Sequence, residues 1–407
     1  LPGPQSTLFF LLLLGTFGLL TWWLIVARQL VFRVLAACLA FIPAMMFGVA
    51  AVNKYYDYYQ NWSSAIADLT NQGIGTQVPK GKLNIASVVD TAASRKIAMK
   101  QGELLQLTVT DPAIRMTRTV LVYLPPEYFD PAYSRYRFPA IELLHGFPGQ
   151  PQEWISLLHA NTTLNNLVRE HKGAPAVLVI PNANGPNGVS LQCLNQYRGP
   201  QDATFLAGFL PGYIAAKFRV MPPGKAWGIA GYSEGGFCAA NLGLNYFSKF
   251  SYAGVLSGYF RPSQNQVGSP PRLVSPFGSV QQARRNTPLD LIQALPVRDR
   301  IPRFWLGAGS ADPVDIRAAQ LFATLVQLRQ PGVVLREVPG GGHTMYTWRA
   351  LLPPMLSWMT EGIAYRAMIS QPRADLPAFM RSHLHGPVLH PKPSPSGSAA
   401  PHRKARR

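Results

Sequence analysis

Acidic residues are scarce in this chain: 19 Asp and Glu stand against 38 Lys and Arg over 407 residues, a formal net charge of +19. Such a surplus raises nucleic acid as a partner, but its distribution argues against one. There is no zinc-finger spacing, no RNP-like aromatic motif and no helix densely lined with arginine. The clearest basic cluster is the last five residues, Arg403 to Arg407, after a Pro/Ser/Gly/Ala-rich stretch from Pro391 to Pro401. Residues 366–407 therefore read as a disordered tail, either solvated or touching anionic lipid heads or wall polymers. Cysteine is equally sparse, at three. Two soluble cysteines and scattered histidines do not make a metal site, so neither a metal nor a cofactor is expected. Cys38 sits in an apolar run away from the others. Cys193 and Cys238 are free to pair in an oxidising compartment, which spacing alone leaves open. No internal repeat is present.

The apolar residues make up 47% of the chain and are spread unevenly. Residues 8–27 carry no charge and span about 30 Å as a helix, enough for a bilayer core. A second apolar run covers 34–52 with Pro43 inside it, which membrane helices tolerate better than soluble ones. A buried hairpin of a soluble protein and a cleaved signal peptide are the competing readings; the first run lacks the basic stretch of a signal. Two transmembrane helices forming an uncleaved anchor over 1–53 are expected, and a first residue of Leu1 leaves further upstream spans open. The positive-inside rule places the Arg28–Arg33 loop in the cytoplasm and the bulk of the chain outside it. Tyr55, Tyr56, Tyr58, Tyr59 and Trp62 then suit the outer interface, or equally an aromatic face on a core helix. Residues 54–114 read as a juxtamembrane and entry segment.

From about residue 117 strand-like and helix-like segments alternate. Strands are expected at 119–124, 139–144, 174–180, 226–230, 252–256, 302–307 and 333–338. Helices are expected at 205–218, 234–246, 314–328 and 348–363. This alternation predicts an α/β domain over 115–365, with a mostly parallel sheet flanked by helices. Segment 258–297 breaks the rhythm with Pro, Gly and Ser, and reads as an insertion over the carboxyl end of the sheet.

Within that domain, GYSEGG at 231–236 places Ser233 in a G-x-S-x-G frame directly after an apolar strand. This is the form of a nucleophile elbow, in which Gly231 and Gly235 lack the β-carbons that would clash as the turn tightens. A serine hydroxyl needs a base, and the base a carboxylate, in the chain order serine, acid, histidine. His343, in the Gly340–Thr344 loop after the strand at 333–338, is the expected base. Asp312, leaving the strand at 302–307, is the expected acid, although it could merely cap the next helix; Asp315 is the reserve. The backbone N–H groups of Phe147, in the turn after Leu144, and of Glu234, next to the serine, are the expected oxyanion donors. His145 reads as structural, and the Glu234 side chain as a solvated or rim carboxylate.

The stretches VYLPPEYF, LLHGFPGQPQEW, GYSEGGFCAANLGL, FSYAGVLSGYF and GGGHTMYTW resemble the esterase D / antigen 85-like branch of the α/β-hydrolases. The resemblance covers residues 115–362. It implies a serine esterase or acyltransferase with Ser233 as nucleophile and His343 as base. The last two stretches are similar to mycolyltransferases, which move mycolic acyl groups between trehalose esters. Those enzymes take a glutamate from a helix, in a Phe-Leu-Glu-Gly-Leu context. The comparable Leu321–Leu325 has no carboxylate, and residues 186–200 lack a clear counterpart of the aromatic trehalose region. The expected function is thus a membrane-anchored extracytoplasmic carboxylesterase acting on a small-molecule, lipid or glycolipid ester. The alternatives are an acyltransferase to a sugar or lipid hydroxyl and a catalytically silent envelope-binding protein.

Overall fold

The computed structural model describes residues 2–69, 75–78, 91–185, 188–262, 277–296 and 300–383. Nine strands among them form one sheet: β1 (Thr76–Gln77), β2 (Glu103–Asp111), β3 (Met116–Leu124), β4 (Ala140–Leu144), β5 (Val177–Pro181), β6 (Gly224–Tyr232), β7 (Phe250–Leu256), β8 (Arg303–Gly309) and β9 (Val334–Val338). Their order is β1-β2-β3-β5-β4-β6-β7-β8-β9. From β5 to β9 every pairing is parallel, whereas β3 is antiparallel to both its neighbours. The central strands β4 and β5 are buried at every position, which fits their short, wholly apolar or nearly apolar runs.

Helices cover both faces. On one face lie α4 (Leu210–Lys217), α5 (Glu234–Asn245) and α7 (Pro313–Arg329), which bury Leu210, Phe237, Leu242 and Phe322 against Val120, Val122 and Ile229. On the other lie α3 (Ala160–Arg169) and α8 (Met345–Ile369), which bury Leu164, Met355 and Met359 against Leu121, Ile141 and Leu178. Neighbouring residues such as Val120 and Leu121 thus serve opposite faces, as the two-residue period of a strand requires. A short helix α6 (Pro288–Ala294) packs Leu289 and Ile292 onto the α5 side. After α8, Gln371 grips the backbone of Arg137 just before β4, accepting from its N–H at 2.8 Å and donating to its carbonyl at 2.9 Å.

Two expected boundaries shift. The sheet does not start near 115: β2, placed in the entry segment, pairs with β3 from Glu103↔Leu124 to Asp111↔Met116. Its buried Leu105, Leu107 and Val109 supply one face of the core. The tail does not start at 366 either, because α8 runs to Ile369, a further helix covers Ala378–His383, and Leu376 is buried in the core. The remainder of the expected tail, 384–407, lies outside the described residues, as do 263–276 and 297 of the expected insertion.

Ahead of the sheet are α1 (Thr7–Val26) and α2 (Leu30–Tyr56), both long and apolar enough to cross a membrane by length and composition. Ser6 caps α1 by accepting from the Phe9 N–H. The pair packs through Phe9, Leu13 and Ala50, with Phe10 set edge-on to Phe47. Pro43 lies inside α2, and Cys38 is exposed on it. The helix stops at Asp57, whose φ of 54° is left-handed.

Candidate active site

Ser233 lies between the end of β6 and the start of α5, with φ 55° and ψ −121°. A non-glycine residue at positive φ is strained, and this strain is what turns the side chain out of the sheet. Gly235 makes the turn possible: a β-carbon there would lie 2.1 Å from the Leu144 carbonyl oxygen. The turn after β4 passes equally close to the nucleophile. A β-carbon on Gly146 would stand 3.2 Å from that of Ser233, so the turn that continues into Phe147 passes beside the elbow at Gly146. The Phe147–Pro148 peptide is cis. Glu234 is the first residue of α5, where a helix N–H has no intrahelical acceptor.

His343 brings the site together. Its Nε2 is 2.9 Å from Ser233 Oγ, while its Nδ1 is 2.7 Å from Asp315 Oδ2 and 3.2 Å from Asp312 Oδ2. With carboxylates on the Nδ1 side, that nitrogen carries the proton and Nε2 is left to accept from serine. Asp312 thus touches the imidazole and also caps α7, its other oxygen accepting from the Asp315 N–H at 3.2 Å. The reserve, Asp315, makes the shorter contact. Both reach the imidazole because a helix N-cap and the third residue beyond it face the same side, the spacing on which capping boxes rely. Burial opposes charge on His343, but the hydrogen bond it donates to Asp315 and the two carboxylate charges outweigh it and raise the pKa above 6.5. Burial likewise pushes the Asp315 carboxyl up, against the favourable pull of His343. Trp348 sets its ring edge-on to His343 at 5.1 Å and lies over Tyr232 at 4.6 Å, which backs the imidazole with a rigid aromatic wall.

His145 is structural, as expected. It is buried, its Nε2 accepts from the Ala183 N–H at 3.0 Å, and its Nδ1 then donates to the Gly146 carbonyl at 2.8 Å. Burial lowers its pKa, so the neutral ring pins the turn that carries Phe147.

The Glu234 side chain departs from expectation. It is not solvated: only 4% of the residue is exposed, and Ser190 donates to its carboxylate at 2.7 and 2.8 Å. Burial, abetted by the nearby Asp202 charge, raises its pKa to about 7 despite the hydrogen bonds from Ser190 and Tyr259. The Cys193–Cys238 disulfide ties the same loop to α5, across a Cα separation of 5.6 Å. The loop before the elbow is thus braced twice against the helix that follows Ser233. Sequence reasoning missed Ser190 and Trp348. Ser190 leaves no local signal for a contact 44 residues away, whereas Trp348, five residues beyond His343, could have been suggested by its place at the opening of α8.

The arrangement has known relatives. Residues 112–359 match the model of a family described as putative esterase. An uncharacterized protein of Corynebacterium glutamicum is 26% identical over 339 residues, covering 81% of this chain and 76% of its own. The diacylglycerol acyltransferase/mycolyltransferase Ag85A of Mycobacterium tuberculosis is 28% identical over 156 residues, 34% of this chain and 45% of that protein. Among solved structures, an S-formylglutathione hydrolase from Agrobacterium tumefaciens superposes with a TM-score of 0.54 at 19% identity, covering 65% of this chain and 96% of its own. That likeness carries the fold, and the family match spans more than half of the sequence. The chain belongs to this esterase family, on the esterase D and antigen 85-like branch of the α/β-hydrolases.

Proposed function

We propose that this protein is a membrane-anchored serine carboxylesterase whose catalytic domain works outside the cytoplasm. The observation that carries the chemistry is the unbroken line from Ser233 Oγ through His343 to the paired carboxylates of Asp315 and Asp312. In this reading Ser233 Oγ attacks the ester carbonyl as its proton passes to His343 Nε2. The amides of Phe147 and Glu234 receive the oxyanion, donors worth a few kcal/mol each in the transition state. Collapse of the tetrahedral adduct breaks the bond to the alcohol oxygen, which leaves with the proton from His343. Water, deprotonated by the same nitrogen, then releases the acid and restores the serine. The carboxylates hold the imidazole in the needed tautomer and stabilise its charged form. No step calls on a cofactor.

Labelling of the full chain by a fluorophosphonate probe tests this, with Ser233→Ala as control. Stoichiometric labelling of the wild type alone is expected, and a folded wild type that stays unlabelled defeats the reading. The placement outside the cytoplasm is supported by Arg28 between the two apolar helices and Arg33 in the first turn of the second. A reporter fused after Arg407 and active only in the cytoplasm would refute it.

A second reading, acyl transfer, is favoured by the similarity to Ag85A over 156 residues. Both reactions share the acyl-enzyme and differ in the hydroxyl that resolves it. Partitioning of the intermediate between water and trehalose or glycerol separates them, and strong preference for the sugar or polyol assigns transfer. Against mycolyl transfer itself stands the source of the acid: Phe322 and Ala323 are buried apolar residues in α7, and the carboxylates come from its first turn.

A further inference from the structure

The end of α2 is not a free linker. Arg349, on α8 six residues beyond His343, pairs with the Asp57 carboxylate and donates Nη2–H to the Asp57 carbonyl at 2.8 Å. Its Nε–H goes to the Leu157 carbonyl at 2.8 Å. Asp57 and Arg349 side chains are only 19% and 17% exposed, so this pair is worth more than a surface ion pair. Asn53 locks the following turn by exchanging hydrogen bonds with the Tyr59 backbone at 2.7 and 3.0 Å. Tyr58 and Tyr59 pack against the core group that holds Trp154, Tyr232 and Trp348, the rings that back the elbow and His343.

We infer that α2 and the catalytic sheet form one rigid piece, and that the mouth of the Ser233 site is held against the lipid surface. The inference rests on the membrane-anchor and serine-ester readings above. Counting along α2, Asp57 lies five residues past the end of the apolar run at Val52, about 8 Å of helix rise. That places it in the headgroup layer, which is about 5–8 Å deep on each side of the hydrocarbon. From Arg349 back to the start of α8 at Met345 is about 6 Å of helix rise, and His343 lies two residues before that start. Tyr346 stands three residues before Arg349 on α8, hence on the same helix face, and is 57% exposed, three residues after His343 in the chain. An exposed tyrosine between the anchor and the histidine is the residue type that settles at a headgroup boundary. An ester presented from the membrane then meets Ser233 without having to leave the surface.

The test uses the full chain in vesicles of phosphatidylcholine with phosphatidylglycerol, in a Cys38→Ser background. Spin labels are placed at Tyr346→Cys and, as a reference, at Leu328→Cys, in the last turn of α7 at the opposite end of that helix from Asp312. Accessibility to oxygen and to a water-soluble nickel complex should place the label at 346 in the headgroup layer and that at 328 in bulk water. Bulk-water values at both overturns the inference. As a second measurement, Asp57→Ala and Arg349→Lys should lower kcat/KM on a vesicle-embedded ester about tenfold through lost effective concentration. On a short soluble ester both variants should stay within about twofold of wild type. Equal losses on both substrates, or none on the embedded one, also overturn it. A wild type that turns over neither ester instead defeats the esterase reading, and leaves the label positions to judge this inference separately.

Discussion

His343 Nδ1 lies 2.7 Å from Asp315 Oδ2 and 3.2 Å from Asp312 Oδ2, so the nearer carboxylate is the one inside the helix rather than the one at its cap. Two acids share a single imidazole, and they do not share it equally.

Asp315→Asn is therefore expected to lower kcat/KM by about 100-fold or more, through loss of the charge and tautomer control that such an acid supplies. Asp312→Asn should cost less than about tenfold, because asparagine caps a helix as well as aspartate does and only the longer contact loses its charge. Steady-state kinetics on a short soluble ester measures both. A larger loss at 312 than at 315 reverses the assignment.

The pH dependence follows from the direction of the His343 shift. The base must be neutral to accept the serine proton, and its folded pKa is raised above 6.5. Activity should rise with pH through an apparent pKa above that value, and Asp315→Asn should move this limb to lower pH. The stability that protonated His343 contributes runs the other way: it is fully present below 6.5 and is lost as pH climbs through the folded pKa. A pH–rate profile of kcat/KM on the free enzyme tests the first statement.

Glu234 gives a separate pH signature. Its folded pKa of about 7 is above that of the unfolded chain, so the folded state holds the extra proton between the two values. Stability should fall as pH rises from about 4.5 to about 7 on this account. Glu234→Gln keeps an acceptor for Ser190 and removes the titration. Its thermal midpoint, relative to wild type, should improve at pH 8 over pH 5. An unchanged difference across that range would show that the carboxyl is ionised in the fold.

Gly235→Ala should abolish activity and destabilise the domain by about 3 kcal/mol or more, the range in which backbone collisions fall. The added carbon would meet the Leu144 carbonyl oxygen at 2.1 Å, and the colliding partner is backbone, which cannot swing aside. Denaturant unfolding and fluorophosphonate labelling of the variant report the two effects.

Reduction of Cys193–Cys238, or Cys238→Ser, should cost about 4 kcal/mol by the chain-entropy relation for a loop of this length. The two residues are 45 apart in sequence. Because the bridge holds the loop that covers Glu234, and burial is the main cause of its raised pKa, the Glu234 titration should move to lower pH as the bridge is lost. Equilibrium unfolding with and without reductant measures the first.

The elbow was legible because its requirements are local: a tight turn demands small residues two positions either side of Ser233, and the sequence must show them. The same holds for β4 and β5, whose burial on both faces leaves only apolar choices nearly throughout. β2 carried a period-two pattern in Leu105, Leu107 and Val109, so its place in the sheet was readable, even though it lies ahead of the region where alternation is regular. The division of labour between Asp312 and Asp315 was not readable, since the same spacing serves a cap and a pair of acids. Arg349 and Asp57 are 292 residues apart. Nothing in either neighbourhood announces the other, and only the closed fold brings them together. Glu234 misled for a related reason: a charged residue beside the nucleophile suggests solvent, and its burial depends on a distant serine.

The clasp of Gln371 on Arg137 fixes where the chain goes after its last long helix. α8 starts beside His343 and runs 25 residues to Ile369, about 37 Å of rise, down to the strand beginnings. The two ends of the catalytic domain therefore part company: the one entering from α2 is fastened near the nucleophile, and the one leaving α8 is fastened at the far pole. For anyone handling the protein this makes the poles unequal. An affinity tag, a fluorescent partner or a solid support joined beyond α8 leaves the ester's approach clear, while the same cargo spliced in at Asp57 would stand in the doorway.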